Sequence, residues 1–165
     1  MIIAIDPGST ESGYAILDKN LKPVKFGKID NFLLLDDLFM DRFINAGDCT
    51  IDYFAIEMIA CYGMPVGKEV FDTCVWIGRF IEAWGQKEYQ YIYRQDEKSN
   101  LCHSAKANDA SIKQALVDRF ASGVSNHGKG SKKAPGWFYG FKADIWSAYA
   151  VGVTFHDMYI KKVDE

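Results

Sequence analysis

Apolar positions along the chain follow two rhythms. The first is a short run bounded by turn residues, and the second is the three-and-four spacing of an amphipathic helix. Ile2-Ile3-Ala4-Ile5 halts at a carboxylate, Asp6, and reads as a buried strand that delivers this acid at its C-terminal end. Pro7-Gly8-Ser9-Thr10 is a turn, Ser12–Leu17 a second strand and Val24–Ile29 a third. Short turns between successive strands predict an antiparallel meander. Phe32–Ala46 then shows helical spacing through Leu33, Leu34, Leu38, Phe39 and Phe43, with Asp30 or Asn31 as its cap and Gly47 as its stop. Ile51–Ile56 is another apolar run that halts at an acid, Glu57. Val66–Trp84 reads as a long helix, with Val70, Phe71, Cys74, Ile77, Phe80 and Ile81 at helical spacing, and Tyr89–Tyr93 as a fifth strand. Asn108–Phe120 is a helix with Ile112, Ala115, Leu116 and Phe120 inward, and Ala143–Tyr159 is a strongly apolar last helix. Between them, residues 123–136 are rich in Gly, Ser and Lys and read as a mobile basic loop.

The resulting order, β-β-β-α-β-α-β-α-α, predicts an α/β protein: a five-stranded mixed sheet with helices on both faces, one domain over residues 1–165. A hydrophobic share of 48% suffices for a packed core. No apolar stretch reaches membrane-spanning length, and Met1 runs straight into the first strand, so a soluble, cytoplasmic protein is expected. The cysteines at 49, 61, 74 and 102 form no close pair and no zinc-ligand spacing with the histidines, which leaves them as ordinary thiols. A net charge of −3 does not advertise nucleic-acid binding, but charge is unevenly spread. From Arg119 to Ala143 there is no acid, while Arg119, Lys129, Lys132, Lys133 and Lys142 fall within that stretch.

The acids carry the chemistry. Asp6 and Glu57 each end an apolar run, and strand ends at one edge of a parallel core are where sites form. Asp144 opens the last helix. Asp6 before Pro7-Gly8 also suits a turn, and Asp144 also suits a helix start, so each alone has a structural explanation. Together they form a candidate site, with Asp6, Glu57 and Asp144 as catalytic and metal-binding residues. Carboxylates held close repel one another unless a cation joins them, and an all-oxygen ligand set suits Mg²⁺, with Mn²⁺ as a substitute. Such a centre with two ions serves in-line attack of water on a phosphodiester.

Ile3-Ala4-Ile5-Asp6-Pro7-Gly8-Ser9-Thr10, followed by Gly13-Tyr14-Ala15, resembles the opening motif of the RuvC-type Holliday-junction resolvases. Ala55-Ile56-Glu57 resembles their second motif, and Asp144-x-x-Ser147-Ala148-x-Ala150-Val151 their C-terminal helix motif. Lys98, with the stretch Ala105–Val117, resembles a lysine-containing strand and the helix after it. The resemblance spans nearly the whole chain in order, and the 130–136 segment with Trp137 is closer to a phage branch of the family. It implies an RNase H-like fold, a homodimer, and paired nicking of branched DNA, with Asp6 bridging two metals, Glu57 and Asp144 each holding one, and Lys98 on the DNA backbone. The family usually carries two metal-binding side chains three residues apart on the last helix. Here Ser147 stands at the second place if Asp144 takes the first; in the other register Phe141 stands at the first.

Lys98, Lys106, Lys129, Lys132 and Lys133 are candidate phosphate contacts. Tyr62, after Glu57, is placed either to stack on an unpaired base or to pack on the long helix. That helix carries apolar side chains on more than one face, which suggests a partner, and symmetric cutting of a four-way junction needs two sites, as a C2 dimer supplies. A flap, fork or RNA–DNA hybrid nuclease on the same fold and a non-catalytic binder of branched DNA remain alternatives.

Overall fold

A computed structural model describes residues 1–44, 50–61, 63, 65–85 and 88–161. Along them run β1 (Ile2–Asp6), β2 (Glu11–Leu17), β3 (Pro23–Asp30), α1 (Asn31–Phe39), β4 (Tyr53–Met58), α2 (Lys68–Trp84), β5 (Tyr89–Tyr93), α3 (Arg94–Cys102), α4 (Asp109–Phe120) and α5 (Ala143–Phe155). The sheet order is β3-β2-β1-β4-β5. β1, β2 and β3 form the predicted antiparallel meander, while β4 and β5 join in parallel on the other side of β1.

Alternation along β1 divides the core. Ile3 and Ile5 pack with Tyr14, Leu34, Leu38, Ile77 and Phe80 beneath α1 and α2. Ile2 and Ala4 face the opposite cluster, which includes Leu116, Phe138, Phe141 and Tyr149. On that second face small residues line up across three strands, because Ala4 is in register with both Ala15 and Ala55. The shallow trough they leave admits α5. A Cβ added at Gly152 would stand 2.6 Å from Leu17 Cδ1 and 3.1 Å from Ala4 Cβ, so the helix lies nearly in backbone contact with the sheet. Tyr149, also on α5, is fully buried; its hydroxyl donates to the Leu21 carbonyl at 2.9 Å and accepts from Trp137 Nε1 at 3.0 Å.

Several expectations need correction. The first helix ends at Phe39, with a short 3-10 turn at Arg42–Ile44, rather than continuing to Ala46, which lies outside the described residues. Asp30 is its cap, accepting from Phe32 N at 2.8 Å. Of its expected apolar face, Leu34 and Leu38 turn inward, as does Phe43 from the 3-10 turn; Leu33 and Phe39 are exposed. The long helix starts at Lys68 rather than Val66, and its Phe71 is likewise exposed. The last α-helix ends at Phe155 and continues as a π-type turn over His156–Ile160. α3 is absent from the sequence reading altogether. Its segment, Arg-Gln-Asp-Glu-Lys-Ser-Asn-Leu-Cys, has no apolar periodicity to betray a helix. Local hydrogen bonding starts and stops it instead: Asp96 accepts from Tyr93 N at 2.9 Å, and His103 closes the far end with a left-handed φ of 52°. Lys98 therefore sits on a helix, not on a strand.

The 123–136 segment is cross-tied in this structure. Gly136 N donates to Lys129 O at 2.8 Å, Ser131 N to Ala134 O at 3.0 Å, and Gly130 forms an isolated antiparallel bridge with Pro135. Gly128, with φ of 76°, sits against the buried Phe138 ring, where a Cβ would approach Cδ2 to 2.8 Å.

Candidate active site

β1 and β4 are parallel neighbours with Ile5 opposite Ile56, so the next residues, Asp6 and Glu57, emerge side by side at the C-terminal edge. Their carboxyls lie within hydrogen-bonding reach of each other. Burial first, and Glu57's charge second, push the Asp6 carboxyl up to about 9 from its ordinary value of 3.8. The turn that follows Asp6 is pinned from below by two fully buried polar side chains. Ser12 Oγ accepts from Gly8 N at 3.2 Å and donates to Asn31 Oδ1 at 2.6 Å, while Asn31 Nδ2 donates to Gly8 O at 2.9 Å. Every polar atom of these two side chains has a partner in this triangle, which fixes the turn and hence the direction in which Asp6 leaves the sheet.

Asp144 comes from the first turn of α5. Gly13 on β2, the register partner of Asp6, lets that helix end approach: a Cβ there would stand 2.5 Å from the Asp144 carbonyl oxygen. Asp6 and Asp144 border the same open cleft of about 300 Å³, and the Asp144 charge is felt at Asp6. The Asp144 carboxylate is itself engaged by Lys28 of β3, whose Nζ donates to Oδ2 at 2.7 Å and stands 3.5 Å from Glu11. That pairing holds the Lys28 ammonium above the usual lysine range.

Sequence reasoning missed the other acid at this edge. Glu97, in the first turn of α3, is fully buried. One of its oxygens, Oε2, accepts from Arg94 Nη1, and Arg94 Nη2 donates to Asp109. The other oxygen, Oε1, is buried with no hydrogen-bond partner. Burial and the Glu57 charge push this carboxyl up to about 8, against the pull of Arg94. The available signal was the Arg94-x-x-Glu97 pair directly after a strand, an i,i+3 ion pair that no hydrophobic pattern flags.

As the side chains lie, no three Asp, Glu, His or Cys groups among the described residues form a closed ion cage. Each carboxylate instead has its own company: Asp6 with Glu57, Asp144 with Lys28, Glu97 with Arg94. The structure thus brings Asp6 and Glu57 into contact and Asp144 to the same cleft. Ser147, one turn along α5, is half-buried and lines a second cleft of about 440 Å³ beside Asp144. Phe141, the alternative in the other register, is buried against Phe26, Phe138 and Trp146 and offers nothing to this cleft.

The second cleft is basic. Arg94, Lys113, Lys129 and Lys142 line it together with Asp144 and Ser147. Of the lysines singled out from sequence, Lys129 lies here. Lys98 is half-buried on α3 and Lys106 exposed before α4, neither lining this cleft, and Lys132 and Lys133 are exposed at the tip of the 123–136 segment. Tyr62 lies outside the described residues. Lys28, Arg94 and Lys113 are not marked by the sequence, and Lys142 is marked only as part of the basic stretch, because nothing in one dimension shows that a basic side chain faces an acid or a cleft.

No protein-family model and no curated protein sequence matches the chain. Solved structures do. Thermus thermophilus RuvC in complex with a Holliday junction substrate superposes with a TM-score of 0.67 at 14% identity, covering 98% of this chain and 95% of that one. A second structure of Thermus thermophilus RuvC gives 0.65 at 14% identity, covering 98% and 96%. The chain has the RuvC fold, which is RNase H-like, over nearly its full length.

Proposed function

We propose that this chain is a metal-dependent endonuclease that resolves Holliday junctions and related branched DNA. The observation that carries the reading is the meeting of Asp6 and Glu57 at the β1–β4 edge with Asp144 across the same cleft, on a fold shared with a RuvC that was solved on a junction.

The donor set fits hard divalent cations. It is all carboxylate, it carries excess negative charge, and it keeps one buried oxygen unpartnered. Asp6, Glu57 and Asp144 would hold Mg²⁺ or Mn²⁺, with Ser147 a weaker neighbour. Bound there, a pair of ions would lower the pKa of an attacking water and neutralise the departing 3′-oxygen. The protein's own part is positional. Asp6 would hold an ion as the deprotonated carboxylate, beside Glu57. Asp144, now paired with Lys28, would turn to the ion and leave Lys28 to meet a phosphate. Arg94, Lys113, Lys129 and Lys142 grip the backbone along the basic cleft, and Lys132 and Lys133 reach it from the tip of the 123–136 segment. Lys98 and Lys106 are peripheral in this arrangement.

A homodimer would supply the second site. Phe71 and Val75 lie one turn apart on α2 and are 60% and 62% exposed. Arg79, a further turn along, lies over the Phe32 ring of α1, whose Phe39 is 73% exposed, so the apolar stripe continues across both helices. No helix among the described residues is long and apolar enough to cross a membrane, consistent with a cytoplasmic site of action.

The test incubates the protein with labelled four-way junction, fork, flap, RNA–DNA hybrid and linear duplex in Mg²⁺, Mn²⁺ or EDTA. Junction cleavage abolished by EDTA and by Asp6→Asn supports the reading. Preferential cutting of flap or hybrid moves it to another nuclease on this fold. Tight junction binding without cleavage in either metal, with Lys28 remaining on Asp144, makes the protein a binder.

A further inference from the structure

A carboxylate withdrawn completely from water costs several kcal/mol unless both oxygens are compensated. Glu97 meets only half of that condition. Arg94 serves Oε2 and is itself divided between Glu97 and Asp109, while Oε1 faces no donor. Folding alone gives no reason for a charged side chain here, since a residue of similar volume without charge would fill the space at lower cost.

Topology states what stands next to it. β5 runs parallel to β4 with Tyr93 opposite Met58, and α3 begins at the next residue, so its first turn rises over the same sheet edge from which Glu57 emerges. The Glu57 charge bears on Glu97 against the pull of Arg94, and Glu97 is felt in turn at Asp6. Asp6, Glu57, Glu97 and Asp144 thus crowd one edge, with Lys28 paired to Asp144 and Arg94 to Glu97.

We propose that Glu97 is itself a ligand of the metal centre: its unpartnered Oε1 completes, together with Glu57, the coordination of one divalent ion, while Arg94 holds Oε2 and fixes the carboxylate plane. This rests on the metal-dependent reading above. The helix α3 then supplies the carboxylate that α5 does not offer at Ser147, and Arg94 is a positioning residue.

The experiment measures Mn²⁺ binding to the dialysed protein without DNA, by calorimetry and by the electron paramagnetic resonance of free Mn²⁺. Wild type should bind two ions. Glu97→Gln should bind one, or hold the second more weakly by about 100-fold or more, since loss of an outer-shell partner alone costs roughly 10–100-fold. Adding Ser147→Asp to Glu97→Gln should recover the second ion, which a merely structural Glu97 would not allow. Wild-type crystals soaked in Mn²⁺ serve if the variant does not fold: anomalous density about 2.1 Å from Glu97 Oε1 supports the assignment. Density on Asp6, Glu57 and Asp144 alone, or an unchanged Mn²⁺ isotherm for Glu97→Gln, overturns it. The outcomes separate the two levels. Unchanged Mn²⁺ binding by Glu97→Gln alongside junction cleavage overturns this inference only. Loss of one ion in a protein that cuts no nucleic acid leaves it standing and removes the nuclease. Absence of any Mn²⁺ binding removes both.

Discussion

Asp6→Asn should make the metal-free protein more stable, although it destroys the proposed metal site. Asp6 ionises at about 3.8 in an unfolded chain, but burial and the neighbouring Glu57 hold its folded value near 9. At neutral pH the folded protein must keep a proton that the unfolded chain has already lost, which costs about 4 kcal/mol at pH 7. Side-chain movement and entering water relieve part of this, so the neutral, isosteric asparagine should recover about 1–3 kcal/mol. For a chain of this size that corresponds to a rise in Tm of roughly 2–12 °C. The sign against pH follows from the same values. A carboxyl raised in the folded state contributes its full stability below the unfolded value and loses it as pH climbs through the folded one. Metal-free wild type should therefore melt progressively lower between about pH 4 and about pH 9, and Glu97, pushed up to about 8, adds to that slope. Asp6→Asn should flatten the slope without abolishing it. Mg²⁺ at about 100 times its Kd should then raise wild-type stability by about 2.7 kcal/mol and leave Asp6→Asn nearly unmoved. Thermal melts followed by circular dichroism, in EDTA and in Mg²⁺ across this pH range, read all of these effects. If Asp6→Asn melts below wild type in EDTA at high pH, the acids are not crowded and the electrostatic account of the site fails.

Three further perturbations probe other parts of the argument. Gly13→Ala places a methyl group 2.5 Å from the Asp144 carbonyl, so α5 must retreat; stability should fall by about 1–3 kcal/mol, with weaker Mn²⁺ binding. A Gly13→Ala protein with wild-type melting and metal affinity would show that close approach of α5 is not what sets Asp144. Lys113→Ala and Lys142→Ala should each lower junction affinity and reduce the slope of log K against log salt by about 1, measured by fluorescence anisotropy; parallel salt lines would place these lysines off the DNA. The double substitution Phe71→Glu with Val75→Glu should leave the melting temperature nearly unchanged, because both side chains are exposed, and convert a dimer to a monomer in sedimentation; a wild type already monomeric at about the micromolar range would remove this face as an interface.

Much of the scaffold is legible in one dimension because it rests on local pattern. Ile-Ile-Ala-Ile before Asp6 and Phe-Ala-Ile before Glu57 are apolar runs with an acid at the end, and a strand buried on both faces needs such a run. Turn residues set the meander, and the periodicity of α2, α4 and α5 marks them as helices. Helix faces were less legible: Leu33, Phe39 and Phe71 fit the spacing yet lie outside, since spacing alone does not say which side of a helix meets the sheet. Glu97 was invisible for a related reason. A polar nonapeptide gives no hydrophobic signal, and the burial of its glutamate comes from neighbours distant in the chain.

By itself, then, the order of residues determined the five strands and every long helix but α3, the sheet's mixed character, and the three candidate acids at 6, 57 and 144, because short-range backbone preferences and the solubility of side chains act wherever the chain runs. Only the tertiary structure decided which charges meet: Lys28 on Asp144, Arg94 on Glu97, and the Glu57 charge on a Glu97 carboxyl that keeps one oxygen orphaned. Coulomb forces and desolvation depend on distance through space, and the fold alone sets those distances.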